Sequence, residues 1–124
     1  MADAVETLEI SIDRIGPRLD VVLVGEIDFA TAPLLADAVL EHLDRDEPEV
    51  WLDLSGVTFC DSAGVGTFVR LQQEADARGG QLTLFEPHGS VLRVLQVTHI
   101  DDLIPIARHP ELRAVDSESD PTGG

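Results

Sequence analysis

Apolar residues along this chain recur with two periods in turn, and that alternation limits its possible folds more than any other feature. Leu8, Ile10 and Ile12 alternate with Glu9, Ser11 and Asp13, the period of a strand with one buried face. Gly16-Pro17 marks a turn, and the denser apolar run at 19–24 reads as a second strand, antiparallel to the first. Gly25-Glu26-Ile27-Asp28 leaves that strand, and Thr31 stands as a cap before Ala32 and Pro33, where proline costs no helical hydrogen bond. Leu35, Val39 and Leu43 recur every four residues, which predicts a helix ending near Arg45, stopped by the acidic loop 46–49. Residues 50–54 read as a buried third strand, broken by Ser55-Gly56 and followed by an apolar link over 57–60. A second helix follows Ser62, with Val65, Phe68, Leu71 and Ala75 on one face, and Gly79-Gly80 ends it. Residues 81–85 read as a fourth strand, Ser90 caps a short helix through Val91, Val94 and Leu95, and 103–106 is a last strand or edge segment.

The order is therefore β-β-α-β-α-β-α-(β). Strand-helix-strand steps of this length imply parallel pairing and right-handed crossovers. The expected fold is α/β: a mixed, mostly parallel sheet with an N-terminal antiparallel hairpin and three to four helices, on one face or both. The 124 residues allow one domain with one core, placed at 1–110. After Arg108 the periodicity is lost, and 111–124 is expected to be an acidic, disordered tail.

Charge narrows the function. The net charge is -16, with eight arginines and no lysine. Such a chain repels phosphate backbones and anionic membrane surfaces, so neither nucleic acid nor membrane is an expected partner. A basic protein would be steered towards it. The lone cysteine, Cys60, can form no intramolecular disulfide and reads as a buried small residue rather than a reactive thiol. There is no basic-then-apolar leader at the N-terminus, and no apolar run approaches the roughly 20 residues that span a bilayer. A reducing cytoplasm is the expected location.

The chemistry concentrates at 59–66, Phe-Cys-Asp-Ser-Ala-Gly-Val-Gly, between a strand and a helix. Ser62 there can be read as a helix cap. Gly64-x-Gly66, with Glu86 after the next strand, hints at a dinucleotide site, but Val69 stands where a third glycine is needed. A hydrolase elbow needs glycine two residues before the serine, and Cys60 is there instead. His42, His88, His99 and His109 sit in no triad context and lack metal-ligand spacing, so no metal or cofactor is expected. The remaining reading is a phosphoacceptor serine, whose phosphate would lie near the N–H groups of the helix start. Asp61 orients the hydroxyl, contacts a partner or caps the helix; Gly64 and Gly66 allow either close approach or tight internal packing.

Two blocks carry a family resemblance. Gly25-Glu26-Ile27-Asp28 followed by Thr31-Ala32 resembles the G-E-[LI]-D-x-x-[TN]-[AV] segment of anti-sigma factor antagonists of the STAS domain family. Residues 52–64, ending in Asp61-Ser62-Ala63-Gly64, resemble that family's strand running into D-S-[SA]-G. Gly80 with Leu82-Thr83-Leu84, and then 91–106, follow in the family's order, so the resemblance covers 6–108. His99 departs from the glycine common after the last helix, but histidine tolerates a left-handed backbone. The resemblance implies a non-enzyme. Its unmodified form binds an anti-sigma factor that is also a serine kinase and so frees a sigma factor. Phosphorylation of Ser62 breaks the complex and a PP2C-type phosphatase restores it. Asp28, Thr31, Asp61, Ser62, Ala63 and Gly64 are the implied partner-binding residues. The alternative within the family is a non-switching scaffold or ligand-sensing subunit of a stress or transport complex.

Overall fold

Residues 8–108 are described by a computed structural model. The first two strands, β1 (Leu8–Ile15) and β2 (Arg18–Ile27), form an antiparallel hairpin closed by Gly16-Pro17, with Ile15 opposite Arg18. Gly16 has φ +62, which suits the first central position of a type II′ hairpin turn. Helix α1 (Ala32–Leu40) crosses to β3 (Glu49–Cys60), which lies parallel to β2. Helix α2 (Ser62–Ala77) leads to β4 (Gln81–Phe85), and α3 (Gly89–Val97) with a single 3-10 turn (Ile100–Asp102) leads to the two-residue β5 (Ile106–Ala107). The sheet order is β1-β2-β3-β4-β5, with every pair parallel except the hairpin. The mixed sheet and the three helices agree with the expectation from sequence. The acidic tail and His109 lie outside the described residues.

Alternation sets which face is covered. Leu19, Val21 and Leu23 of β2, Val50, Leu52 and Leu54 of β3, and Leu82 and Leu84 of β4 point to one face, where they meet Leu35 and Val39 of α1 and Phe68 and Leu71 of α2. Between them Val22 and Val24 stand on the other face and are exposed. On that open face the Trp51 and Phe85 rings lie 5.7 Å apart, and the Arg18 guanidinium sits 4.3 Å over the indole while pairing with Asp20.

Three local expectations change. Ser55-Gly56 does not break the third strand. Val22 and Val24 pair with Asp53 and Gly56, and Gly25 and Glu26 pair with Val57 and Phe59, so β3 carries an extra residue at each of two bulges. The bulges shift the inward phase, and Leu52, Leu54, Val57 and Cys60 are all buried. A strict period of two, which the sequence lacks here, would have put Val57 outside. Helix α1 stops at Leu40 rather than Arg45; His42 and Leu43 then donate to the carbonyls of Val39 and Leu40, tighter turns that still bury Leu43. Ser90 does not cap α3, whose cap position is His88. Where β3 runs past the end of β4, His88 Nε2 donates to the Ser55 carbonyl at 2.9 Å and Ser90 Oγ to the Thr58 carbonyl at 3.3 Å. His99 adopts φ 61, the left-handed backbone anticipated for it.

Two measurements test this packing. A Cβ on Gly80 would meet the Pro48 carbonyl oxygen, so Gly80→Ala is expected to destabilise the domain by about 3 kcal/mol in denaturant titration. Burial first, and then the Asp61 carboxylate, push the Cys60 thiol up to about 12 from 9.0. The chain has no lysine or tyrosine, so in this range Cys60 titrates almost alone. The folded state holds its thiol proton more tightly than the unfolded chain. On the alkaline side, stability is therefore expected to be level from about pH 8 to 9, to fall by close to one proton's dependence between pH 9 and 12, and to lose that fall in Cys60→Ala.

Candidate functional site

Strands β2 and β3 are parallel, so both deliver their C-terminal ends to the same edge of the domain. Ile27 pairs with Cys60, and one residue further the Asp61 N–H donates to the Ile27 carbonyl at 3.1 Å. The β2–α1 loop and the start of α2 are thereby fixed side by side.

The loop over 28–31 closes on itself. The Asp28 carboxylate accepts from the N–H groups of Ala30 and Thr31, each at 3.0 Å. Thr31 Oγ1 donates to the Glu26 carbonyl at 2.9 Å and accepts from the Asp28 N–H at 2.9 Å. Thr31 thus does not cap α1 with its side chain, as the sequence suggested; it is buried and bonds back to the strand end. Asp28 is the side chain that collects the loop's N–H groups, an Asx-type arrangement.

The second corner has the same logic. Asp61, not Ser62, occupies the cap position of α2, and its Oδ1 accepts from Ala63 N at 2.9 Å and Gly64 N at 3.3 Å. Ser62 is the first helical residue and is exposed, and no described residue hydrogen-bonds its hydroxyl. At the helix start beside Ser62, the Ala63 and Gly64 N–H groups are taken by the Asp61 carboxylate, and Val65 N by the Asp61 carbonyl. Ala63 is half-buried. Gly64 is buried, and a Cβ there would come within 2.6 Å of Cys60 Sγ and 2.8 Å of Ile27 Cγ2, so its smallness serves internal packing. Gly66, one turn on from Ser62, is exposed, and a Cβ there would meet nothing within 4 Å.

Among the described residues no histidine hydrogen-bonds Ser62. His42 Nδ1 bonds the Ala38 carbonyl, His88 the Ser55 carbonyl, and His99 lies 3.8 Å from Asp102. No cluster of three metal-ligating side chains exists among the described residues. No helix in the described residues is long and apolar enough to cross a membrane. What the sequence did not single out is the exposed apolar rim: Phe29 is 79% exposed, Leu34 50% and Phe59 45%. Only their exposure marks them, and in the sequence Leu34 sits in a helical apolar run and Phe59 in a presumed link.

Segments 26–34 and 58–67 contain no basic residue but include Glu26, Asp28 and Asp61. Four arginines are held where the parallel strands begin: Arg14 on the His42 carbonyl and Asp44, Arg18 on Asp20, Arg45 on the Gly16 carbonyl, and Arg78 on the Leu43 carbonyl and Glu74.

Comparison with known proteins places this geometry. The STAS domain family matches residues 9–112. An anti-sigma-B factor antagonist of Listeria monocytogenes is 30% identical over 94 residues, 76% of this chain and 82% of that protein. The anti-sigma factor antagonist SpoIIAA in its unphosphorylated form superposes with a TM-score of 0.73 at 19% identity, covering 87% of this chain and 94% of that one. The phosphorylated form of the Bacillus cell fate determinant SpoIIAA gives 0.66 at 18% identity, covering 87% and 97%. With a family match across most of its length and the fold expected from it, the chain belongs to the STAS domain family.

Proposed function

We propose that this protein is a cytoplasmic anti-sigma factor antagonist, switched by phosphorylation of Ser62. The observation that carries the reading is the division of labour at the α2 start: Asp61 does the capping, which leaves the Ser62 hydroxyl exposed and unengaged. The relatives named anti-sigma-B factor antagonists, and a structural neighbour that exists in both phosphorylated and unphosphorylated forms, support it.

In the proposed cycle the unmodified chain binds an anti-sigma factor through the joined corners at Asp28 and Ser62, and a sigma factor is released. The anti-sigma factor is also a serine kinase. Its active site takes the Ser62 proton while Oγ attacks the γ-phosphorus of ATP; the new O–P bond forms as the bridge to the β-phosphate breaks, and ADP leaves. A PP2C-type phosphatase later returns the hydroxyl by hydrolysis, releasing phosphate. Both chemical steps belong to the partners, so this chain needs no base. Asp28 and Thr31 shape the β2–α1 corner, Asp61 and Gly64 hold α2 in place, and Ser62 with Ala63 meets the partner.

Size and desolvation have the right sign for release. Phosphoserine adds about -1.5 to -2 charges beside the Asp61 carboxylate, on an end with no arginine in the two flanking segments to neutralise it. A partner closed over Ser62 would have to take that charge out of water and make room for the phosphate, at a cost of several kcal/mol. Each 1.4 kcal/mol or so is tenfold in affinity, so a fraction of that cost gives a switch.

Incubation with ATP and the cognate anti-sigma kinase, followed by mass spectrometry, is expected to locate phosphate on Ser62. No phosphate there with an active kinase would leave the non-switching scaffold as the reading. Ser62→Asp is expected to bind the anti-sigma factor at least about tenfold more weakly with an unchanged thermal midpoint. Ser62→Ala should bind as wild type does and resist release by ATP.

A further inference from the structure

The exposed apolar rim beside Ser62 is not accounted for by the fold. Phe29 is 79% exposed, in a loop that its own hydrogen bonds make rigid. The ring is therefore presented in a fixed place rather than left on a slack segment. Ala30 and Pro33 beside it are exposed, and Leu34 in the first turn of α1 is half exposed. The Asp61–Ile27 hydrogen bond sets this loop against the Ser62 corner.

We infer that Phe29 is the apolar anchor of the partner complex, and that it enters an apolar pocket rimmed by arginine or lysine on the anti-sigma factor. This rests on the functional reading given above and adds the chemistry of the partner's surface. Large aromatic side chains dominate binding energy when they fill a desolvated pocket inside a polar rim. Here the rim is made of Glu26, Asp28 and Asp61, with no basic residue in segments 26–34 or 58–67, so its complement must be cationic. A second copy of this chain would bring those same carboxylates face to face in a molecule of net charge -16.

Gly66 points the same way. It lies inside α2, four residues after Ser62 and on the same exposed side, and its surroundings leave room for a side chain that the sequence does not supply. Glycine inside a helix is less stable than alanine, and the fold gains nothing from it at this position. Its bare backbone lets a partner lie close along the first turn of α2, next to the anchored ring.

The test uses the whole chain and the anti-sigma kinase that phosphorylates Ser62. Phe29→Ala is expected to raise the dissociation constant about thirtyfold, with an unchanged thermal midpoint. Val97→Ala, an exposed apolar residue at the far end of α3, should change it less than about threefold. Gly66→Ala should raise the midpoint yet weaken binding, opposite signs that a purely structural glycine does not give. Raising salt from about 50 to about 500 mM should weaken wild-type binding several-fold, as charge pairing across the rim requires. Wild-type binding with Phe29→Ala within threefold of it overturns the anchor and leaves the functional reading intact. No wild-type binding at all overturns both. A concentration-dependent dimer in sedimentation that Phe29→Ala converts to monomer identifies a second copy as the occupant and overturns the inference.

Discussion

One backbone hydrogen bond, from the Asp61 N–H to the Ile27 carbonyl, joins the β2–α1 corner to the start of α2. It extends the β2–β3 ladder one step past its last residue pair and so aligns two loops that are distant in sequence. The contacts beneath it leave little slack. Gly64 sits against Cys60 Sγ and the Ile27 side chain, where even a methyl group does not fit. Because α2 begins within one residue of that contact, the direction in which Ser62 faces follows from the packing of Cys60, Ile27 and Gly64. The two β3 bulges belong to the same constraint, since they turn Val57 and Cys60 inward and leave Asp61 at the sheet edge as a cap.

Charge placement differs between the hairpin end and the Ser62 corner. Arginines at the start of the parallel strands tie the hairpin turn, the end of α1 and the end of α2 together through carbonyls and carboxylates. These contacts are largely exposed, and each contributes little alone. Their position has a second effect: none of the four reaches the Ser62 end. A phosphate added there would meet no arginine from the flanking segments and would be held by its hydration alone, so a partner closing over it would have to remove that hydration.

Much of this was legible in the sequence, for identifiable reasons. The hairpin, the inward face of α2 and the α/β order follow from periods of two and about four that hold over whole elements. The Asp61-Ser62 corner was visible because small and capping residues cluster there. What escaped were features that break a period or lack one. The bulges at Leu54-Ser55 and Thr58 make Ser55-Gly56 look like a strand end, because an inserted residue reverses the alternation that marks a strand. Two adjacent capping residues at 61–62 cannot be ranked from sequence, since either can accept the same N–H groups; the backbone puts Asp61 in the extended region and settles it. Thr31 shows the same ambiguity from the other side, a good cap by type whose hydroxyl finds the Glu26 carbonyl instead. Phe29 carries no pattern at all, for exposure is a property of the fold and not of the residue.

The cap at Asp61 also explains why a switch here need not disturb the domain. At an uncapped helix start, a phosphate would gain N–H bonds and up to roughly 1 kcal/mol from the helix dipole, and modification would reorganise the corner. Here the Asp61 carboxylate already holds the Ala63 and Gly64 N–H groups and cancels much of that attraction. A phosphate on Ser62 would then gain little inside the molecule and, being on an exposed side chain, would lose little hydration. The core residues beneath it, Val65, Phe68 and Leu71, point away from it and keep their packing. Under the proposed cycle, the free energy of modification would therefore be expressed almost wholly in the contact with a partner, which is the requirement for a module that must fold equally well in both states and bind in only one.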